Sequence, residues 1–420
     1  MSKKEKDLIK KLILKKNGNR SKYFYPLLGN AFSVADLLSG INVLLSGRIT
    51  MSNKTRNFEK EFAKKLGVKF ALMVNSGSSA NLLAAFAACN ILRKNRFKVG
   101  DEALIPAICW STSLWPLVQT GLKPVFVDVE KGTLNVNSDL LIKKITKKTK
   151  VIMLVHVLGN STNLEKIKKI AKQKKIILIE DTCESLGAKF KNNYLGTFGD
   201  FGTYSFYFSH QITSGEGGMI VCNNKEDYEL LHSMRSHGWS RGLKSQKKIE
   251  KKYPKLDSKF IFINSGFNLR PTDVAASIGN SQFKRLNKFI KIRNVNSFKI
   301  INALKKSKKW NNQFSFQKIN KNVKPSLFGL PIFINKKFFK KKKKFLKLLD
   351  KQGVETRPII SGNFLNQPAI KLFRLKKKMQ KFPEAQEVEN LGFFIGLHTK
   401  IIEENILNRL VNTLLKIETI

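Results

Sequence analysis

Three short stretches carry residues whose types and spacing could do chemistry. The first, Asn75-Ser76-Gly77-Ser78-Ser79-Ala80, follows the apolar run Phe70–Val74 and opens an Ala/Leu-rich helix. Small residues let the backbone approach an anion, hydroxyls donate to it, and a helix N-terminus adds free amides and a positive dipole end. A plain Ser/Gly helix cap would look the same. The second, Ile177-Leu178-Ile179-Glu180-Asp181-Thr182-Cys183-Glu184-Ser185, drives an apolar strand into two acids and then a third. An acid at the end of a buried strand is costly without a partner. Asp181 could face a pyridine nitrogen and keep it protonated, which is what turns a pyridoxal-type cofactor into an electron sink. A helix cap or a metal ligand are its other uses. The third stretch spans Gly199 to Gly218: a strand ending in Ser205, the aromatics Phe206-Tyr207-Phe208, then His210 and a Gly-Glu-Gly-Gly turn. On its own it could be tight packing.

All three lie where a strand gives way to a loop or helix, so the elements around them matter. Residues 55–66 read as an amphipathic helix stopped by Gly67. Apolar runs at 70–74, 103–105, 123–127, 151–155 and 176–180 read as buried strands, several separated by helical patterns such as 163–175. Continuous apolar strands alternating with helices imply an α/β fold with a mostly parallel sheet covered on both faces, and such sheets bind ligands at the carboxyl ends of their strands. Beyond about residue 285 the texture changes to a helix (284–306), a strand-like segment (327–334), a lysine-rich helix (336–351) and a final helix (403–417). The expected organisation is a basic N-terminal extension (1–24), a large α/β domain (25–285) and a smaller α+β domain (286–420).

The chain has 420 residues, 42% apolar and 10% aromatic, enough for a sizeable core, which excludes a wholly disordered chain. No stretch approaches the roughly 18 continuous apolar residues of a membrane span. The first twenty residues scatter their apolar side chains among lysines and lack the core of a secretory signal, so a soluble, cytoplasmic protein is expected. The four cysteines are far apart and show no Cys-x-x-Cys spacing, which fits a reduced compartment and gives no compact metal site. The 78 basic residues outnumber the 30 acidic ones, for a formal charge of +48. That balance attracts polyanions, and a non-catalytic homologue that binds nucleic acid is one way to read it. The lysines are, however, spread along nearly the whole chain, as in a general compositional bias. The densest run, Lys340 to Lys344, reads as a solvated helix face.

Taken together and in order, the three stretches resemble the nucleotide-sugar aminotransferase family, which uses pyridoxal phosphate on the type I aminotransferase fold. Cys109-Trp110-Ser111-Thr112, Leu158-Gly159-Asn160, Arg235-Ser236-His237-Gly238-Trp239, Gly266-Phe267-Asn268-Leu269-Arg270-Pro271 and Arg357-Pro358-Ile359-Ile360-Ser361-Gly362-Asn363-Phe364 extend the likeness over roughly residues 25 to 415. Where the family places a lysine that tethers the cofactor, this sequence has His210. That replacement is the signature of the family's dehydrating branch, the 4-keto-6-deoxyhexose 3-dehydratases. Members acting on CDP-linked sugars hold an iron–sulfur cluster through cysteines clustered after the Arg-x-x-Gly-Trp-type segment. Residues 238–264 contain no cysteine here, and such a cluster takes four thiolates, so the resemblance is to the cluster-free kind.

The resemblance implies a set of roles. An imidazole cannot form the lysine's Schiff base, so pyridoxal or pyridoxamine 5'-phosphate should be held non-covalently. His210, a base near neutral pH, would be the sole acid/base, taking a proton beside the cofactor and delivering it to the departing 3-hydroxyl of a nucleotide-linked 4-keto-6-deoxyhexose (GDP-4-keto-6-deoxymannose favoured, CDP-linked glucose an alternative). Gly77, Ser78 and Ser205 would hold the phosphate, Trp110 would stack on the ring, Asp181 would meet the ring nitrogen and Glu184 the ring hydroxyl or amine. Asn268 would reach the phosphate of the second subunit in a homodimer with shared sites. His237 and Arg357 would contact the nucleotide-sugar. Glutamate is the implied amino donor and 3,6-dideoxysugar synthesis for lipopolysaccharide O-antigen the implied setting. Nucleic acid, membrane and metal are not implied. An ordinary sugar aminotransferase with an unusual base is the nearest competing activity. His156 reads as a satisfied structural histidine.

Overall fold

The computed structural model describes residues 3–16, 21–29, 32–50, 52–375 and 380–420. Part of the basic extension expected at 1–24 lies outside the described residues.

The main sheet has seven strands: β1 (Phe70–Val74), β2 (Glu102–Pro106), β3 (Lys123–Val127), β4 (Thr149–Val155), β5 (Ile177–Asp181), β6 (Phe201–Ser205) and β7 (Gly218–Cys222). Their spatial order is β1-β7-β6-β5-β4-β2-β3. Neighbours from β6 through β3 pair in parallel, and β7 runs antiparallel between β6 and β1. The sheet is thus the mostly parallel α/β sheet expected, with one reversed strand. β7, most of β4 and the first three residues of β5 are apolar because both faces are covered; β4, β5, β6 and β7 are each buried nearly throughout. Helices supply the covers. Asn53–Leu66 buries Phe58, Phe62 and Leu66 on one face and stops at Gly67, whose φ of 72° is the left-handed conformation that suits glycine. Gly77–Cys89 buries Leu83, Ala84 and Ala87 among others against the opposite face.

A second, four-stranded antiparallel sheet is formed by β8 (Phe314–Phe316), β9 (Gly329–Ile334), β10 (Thr356–Arg357) and β11 (Gly392–Gly396), in the order β8-β9-β11-β10. The helix Leu286–Lys306 stands between the two sheets in chain order, and its Arg293 donates to the Leu397 carbonyl just after β11.

The lysine-rich segment departs from expectation at one residue. It is a 3₁₀ turn (Lys336–Lys341) followed by an α-helix (Lys342–Lys351); Lys340, Lys343 and Lys344 are exposed as expected, whereas Lys342 is half-buried. Phe338, Phe345 and Leu349 are buried, and Lys342 falls on the same face by its spacing. Its Nζ donates to the carbonyls of Glu389 (2.6 Å) and Gly392 (2.8 Å), and burial pulls its pKa down to about 8, against the nearby Glu389 carboxylate. Among the described residues, no helix is long and apolar enough to cross a membrane.

Candidate active site

Sheet order brings three chain-distant strand tips together. Gly218 on β7 lies opposite both Val74 of β1 and Ser205 of β6, and Thr203 lies opposite Asp181. The loop after β1, the end of β5 and the end of β6 therefore share one edge of the sheet, the edge where parallel strands leave their carboxyl ends.

The loop after β1 makes an anion cradle. Ser76 caps the helix through its side chain, accepting from Ser79 N at 3.0 Å, which leaves the first-turn amides of Gly77 and Ser78 for another acceptor. Ser78 is exposed, its Oγ 3.2 Å from Thr112 Oγ1. Gly77 is required by space: a Cβ there would lie 2.5 Å from Ser205 Cβ and 3.0 Å from Cys183 Sγ. The same test at Gly218 puts a Cβ 2.3 Å from the Ser76 carbonyl. The two glycines let Ser205 stand directly behind the helix N-terminus.

Asp181 is 4% exposed and held by neutral donors alone. Its Oδ2 accepts from Asn81 Nδ2 and from Ser113 Oγ, each at 2.7 Å, and its Oδ1 from Cys183 N at 3.2 Å. Thr203 donates to Asn81 Oδ1 at 2.6 Å, which turns the amide so that its NH₂ faces Asp181. Among the described residues Asp181 has no cationic partner in an ion pair, and a pyridinium N–H is the cation such a carboxylate would match. The adjacent acid has a different fate. Glu180 is wholly buried, accepting from the amides of Phe198, Gly199 and Gly196 and lying 3.0 Å from His156 Nε2. Alternation along the strand sends one acid to the tip and the other into the wall.

His210 follows the aromatic cluster. Its Nδ1 is 2.6 Å from the Cys183 carbonyl oxygen, and since a carbonyl only accepts, Nδ1 carries the proton and Nε2 is the free base. Phe328 and Tyr207 flank the ring edge-on at 5.2 and 6.0 Å. Burial pushes the His210 pKa down to about 4; the Cys183 bond and Asp181 act against that shift and Arg293 with it. At neutral pH the ring is therefore an uncharged base. Glu184, one residue beyond the carbonyl that holds it, is pushed up to about 8 by burial, with Asp181 adding and the Leu158 amide (3.2 Å) opposing. Its carboxyl is then largely protonated at pH 7, able to donate a hydrogen bond.

Trp110 is 56% exposed and stands just before the helix Ser111–Gln119, the helix that brings Ser113 to Asp181. A core role for that ring is thereby out. The structure thus gathers Gly77, Ser78, Ser205, Asp181, Glu184, His210 and the Trp110 segment on one edge. The contacts of Asn268, His237 and Arg357 lie elsewhere: Asn268 and Arg357 bond side chains two residues away, and the segments of His237 and Asn268 are bridged to each other. Asn268 is exposed and accepts from Arg270 Nε at 2.9 Å. His237 adopts a left-handed φ of 63°, its amide bonded to the Phe267 carbonyl. Arg357 pairs with Glu355 at 2.8 Å. His156 is the satisfied histidine expected, with Nε2 on Glu180 and Nδ1 on Ser161, each at 3.0 Å. Sequence reading did not reach Asn81, Ser113 or Thr203. Asn81 had one visible signal, a lone amide four residues after Gly77 in an otherwise small and apolar helix.

Residues 36–414 match the family model described as the DegT/DnrJ/EryC1/StrS aminotransferase family. The GDP-4-keto-6-deoxy-D-mannose 3-dehydratase of Escherichia coli O55:H7 is 37% identical over 377 residues, 89% of this chain and 95% of that protein. A crystal structure of a variant GDP-4-keto-6-deoxymannose 3-dehydratase with bound GDP-perosamine superposes with a TM-score of 0.85 at 35% identity, covering 93% of this chain and all of that one. Another of that enzyme, with a trapped PLP–glutamate geminal diamine, gives 0.83 at 34% identity over 93% of this chain and all of that one. With the fold and the catalytic edge both in place, the chain belongs to the DegT/DnrJ/EryC1/StrS aminotransferase family, on the PLP-dependent aminotransferase fold.

Proposed function

We propose that this enzyme is a pyridoxal/pyridoxamine 5'-phosphate-dependent 3-dehydratase. It removes the 3-hydroxyl of a nucleotide-linked 4-keto-6-deoxyhexose, with GDP-4-keto-6-deoxymannose the favoured substrate, in 3,6-dideoxysugar biosynthesis. The observation that carries this reading is His210: an imidazole at the family's tethering position, with Nδ1 tied to a main-chain carbonyl and Nε2 free.

When bound, the cofactor supplies an amine to engage the sugar's ketone and a ring that accepts electrons. The chain supplies the rest. Ser78, Ser205 and the amides of Gly77 and Ser78 would hold the phosphate, Trp110 would stack on the ring, Asp181 would keep the ring nitrogen protonated, and protonated Glu184 would donate to the ring oxygen or amine. With an imidazole in place of the tethering lysine, the chain would hold the cofactor by non-covalent contacts alone, and glutamate would be the donor that restores its amino group. His210 Nε2 takes up one proton and returns it to the departing 3-oxygen, so that water rather than hydroxide leaves. One base serves both transfers because both occur on one face. Asn268 of a second copy would complete the phosphate site of a homodimer, and His237 and Arg357 would meet the nucleotide-sugar. A cytoplasmic location fits a supply of nucleotide-sugars.

The test is incubation with glutamate, pyridoxal phosphate and a panel of nucleotide-4-keto-6-deoxyhexoses, scored by mass. Loss of the 3-oxygen is expected, strongest with the GDP-linked sugar. A product bearing a 4-amino group and an intact 3-hydroxyl, or a borohydride-trapped covalent cofactor adduct, would make the enzyme an aminotransferase instead.

A further inference from the structure

Arg293 lies in the middle of the helix Leu286–Lys306 and is 2% exposed. It makes no ion pair with a carboxylate among the described residues. Its guanidinium is spent on three main-chain carbonyls: Nε donates to Leu397 (3.0 Å), Nη1 to Gln211 (3.3 Å) and Nη2 to His210 (3.2 Å). Leu397 follows β11 in the small lobe, while His210 and Gln211 form the turn that carries the base. Burying a cation without a counter-ion is expensive, and anchoring two loops needs no charge. The residue is thus a poor choice for structure alone.

Its neighbours on the helix share the task. Asn294 donates to the Pro325 carbonyl at 3.0 Å, steering the loop to Phe328, whose ring lies against His210. Asn296 donates to the carbonyls of His398 and Lys400 at 3.1 and 2.7 Å and accepts from Ile402 N at 3.0 Å. From the other side, Gln211 Nε2 donates to the carbonyls of Glu184 and of Ser326. One helix therefore fixes the base turn, the loop behind the ring and the exit of β11.

We propose that Arg293 is a positioning residue for the dehydration, a planar three-way clamp that locks the His210–Gln211 turn to the small lobe so that His210 keeps Nδ1 on the Cys183 carbonyl and offers Nε2 to the site. This rests on the function proposed above. The charged and titratable groups facing His210 are Asp181, Cys183 and Glu184 from the end of β5, Tyr207 from its own turn and Arg293 from the helix. Of these Arg293 is the one permanent cation, and its charge resists the imidazolium.

The test compares the wild-type holoenzyme with Arg293→Met and Arg293→Lys by kinetics and by ¹⁵N NMR of labelled histidine, of which there are five. Wild-type His210 should hold the Nδ1–H form at pH 7. Arg293→Met should mix the two tautomers and raise the acid limb of kcat/KM by about one pH unit. It should also lower kcat roughly 10–100-fold through misplacement of the base, with KM changed far less. Arg293→Lys keeps the charge but not the planar fork, so it should restore the acid limb and not kcat. Unchanged tautomer and kcat in Arg293→Met, or an Nε2–H wild-type His210, would overturn the proposal. Should Arg293→Met not fold, the same two observations in Arg293→Lys decide. Wild-type enzyme that leaves every 3-oxygen in place sinks the dehydratase reading, while the NMR comparison still judges Arg293.

Discussion

His156 and His210 stand on either side of the same strand end, and their surroundings are opposites. His156 sits in the wall with both ring nitrogens bonded and 1% exposure. Among the described residues His210 has a hydrogen-bond partner for Nδ1 only. The acids beside them repeat the contrast: Glu180 has every lone pair claimed from within, whereas Asp181 is held by neutral donors at the floor of the site. A polar group whose valences are all filled contributes rigidity. One held by half of them is oriented and still available, and that is the arrangement general acid–base chemistry needs.

The sharpest way to break this contrast is to substitute each histidine system in turn. His210→Asn should reduce dehydration by about 10³-fold or more, the upper part of what a general acid–base group supplies. Cofactor affinity and thermal unfolding should stay near wild type, measured by absorbance titration and calorimetry. Glu180→Gln should do the reverse. Removing one side of a buried polar cluster costs roughly 3–5 kcal/mol, so urea unfolding should shift strongly while turnover per folded molecule is retained. If Glu180→Gln lost turnover at full stability, the division between wall and site would be wrong.

The pH profile extends the same idea. His210 must be neutral to accept a proton, and burial holds it so down to about pH 4. The acid limb of kcat/KM should therefore fall well below the ordinary histidine range near 6.5. Its depressed pKa also carries a stability sign: between about pH 6.5 and 4 the unfolded chain takes up a proton that the folded site refuses, so stability falls on acidification through that window. Glu184, protonated up to about pH 8, should set the alkaline limb. A limb at 6.5 that His210→Asn does not remove would detach the profile from this residue.

Much of this was legible in the chain. Five strands and the helices at 53–66, 164–173 and 286–306 declared themselves through apolar runs and helical spacing, because local burial writes itself into local pattern. The floor of the site was legible for a different reason: Gly77, Asp181, Ser205 and His210 sit at strand ends, where residue types that strands disfavour stand out. What could not be read is everything that depends on sequence-distant pairing. Asn81, Ser113 and Thr203 meet Asp181 from positions up to 100 residues away, and each looks like an ordinary small polar residue in its own segment. The carbonyls that hold His210 and Arg293 have no sequence signature at all. Lys342 misled for the converse reason, since a lysine run hides which member faces the core.

Asp181→Asn tests the oriented acid directly. Loss of the charge facing a pyridinium N–H should weaken cofactor binding about 10–100-fold, the span of a charge-assisted hydrogen bond, with only a small change in unfolding.

The finest comparison removes one hydroxyl from each region. Ser113 donates to Asp181 at 2.7 Å and Ser161 lies 3.0 Å from His156 Nδ1; both are buried, at 0% exposure. Deleting either leaves a buried acceptor short of a donor, which costs about 1–3 kcal/mol. The regions differ in where that cost should appear. Ser161→Ala should register in unfolding alone, since the hydrogen bonds of the His156 ring run to Glu180 and Ser161 and not to the cofactor-facing side chains. Ser113→Ala should instead divide its effect: part in unfolding, and part in a several-fold weaker cofactor Kd, because Asp181 loses one of the contacts that aim it. Equal loss of cofactor affinity in both variants would mean that the wall and the floor are one cooperative unit, and that filling a group's valences does not separate structure from chemistry here.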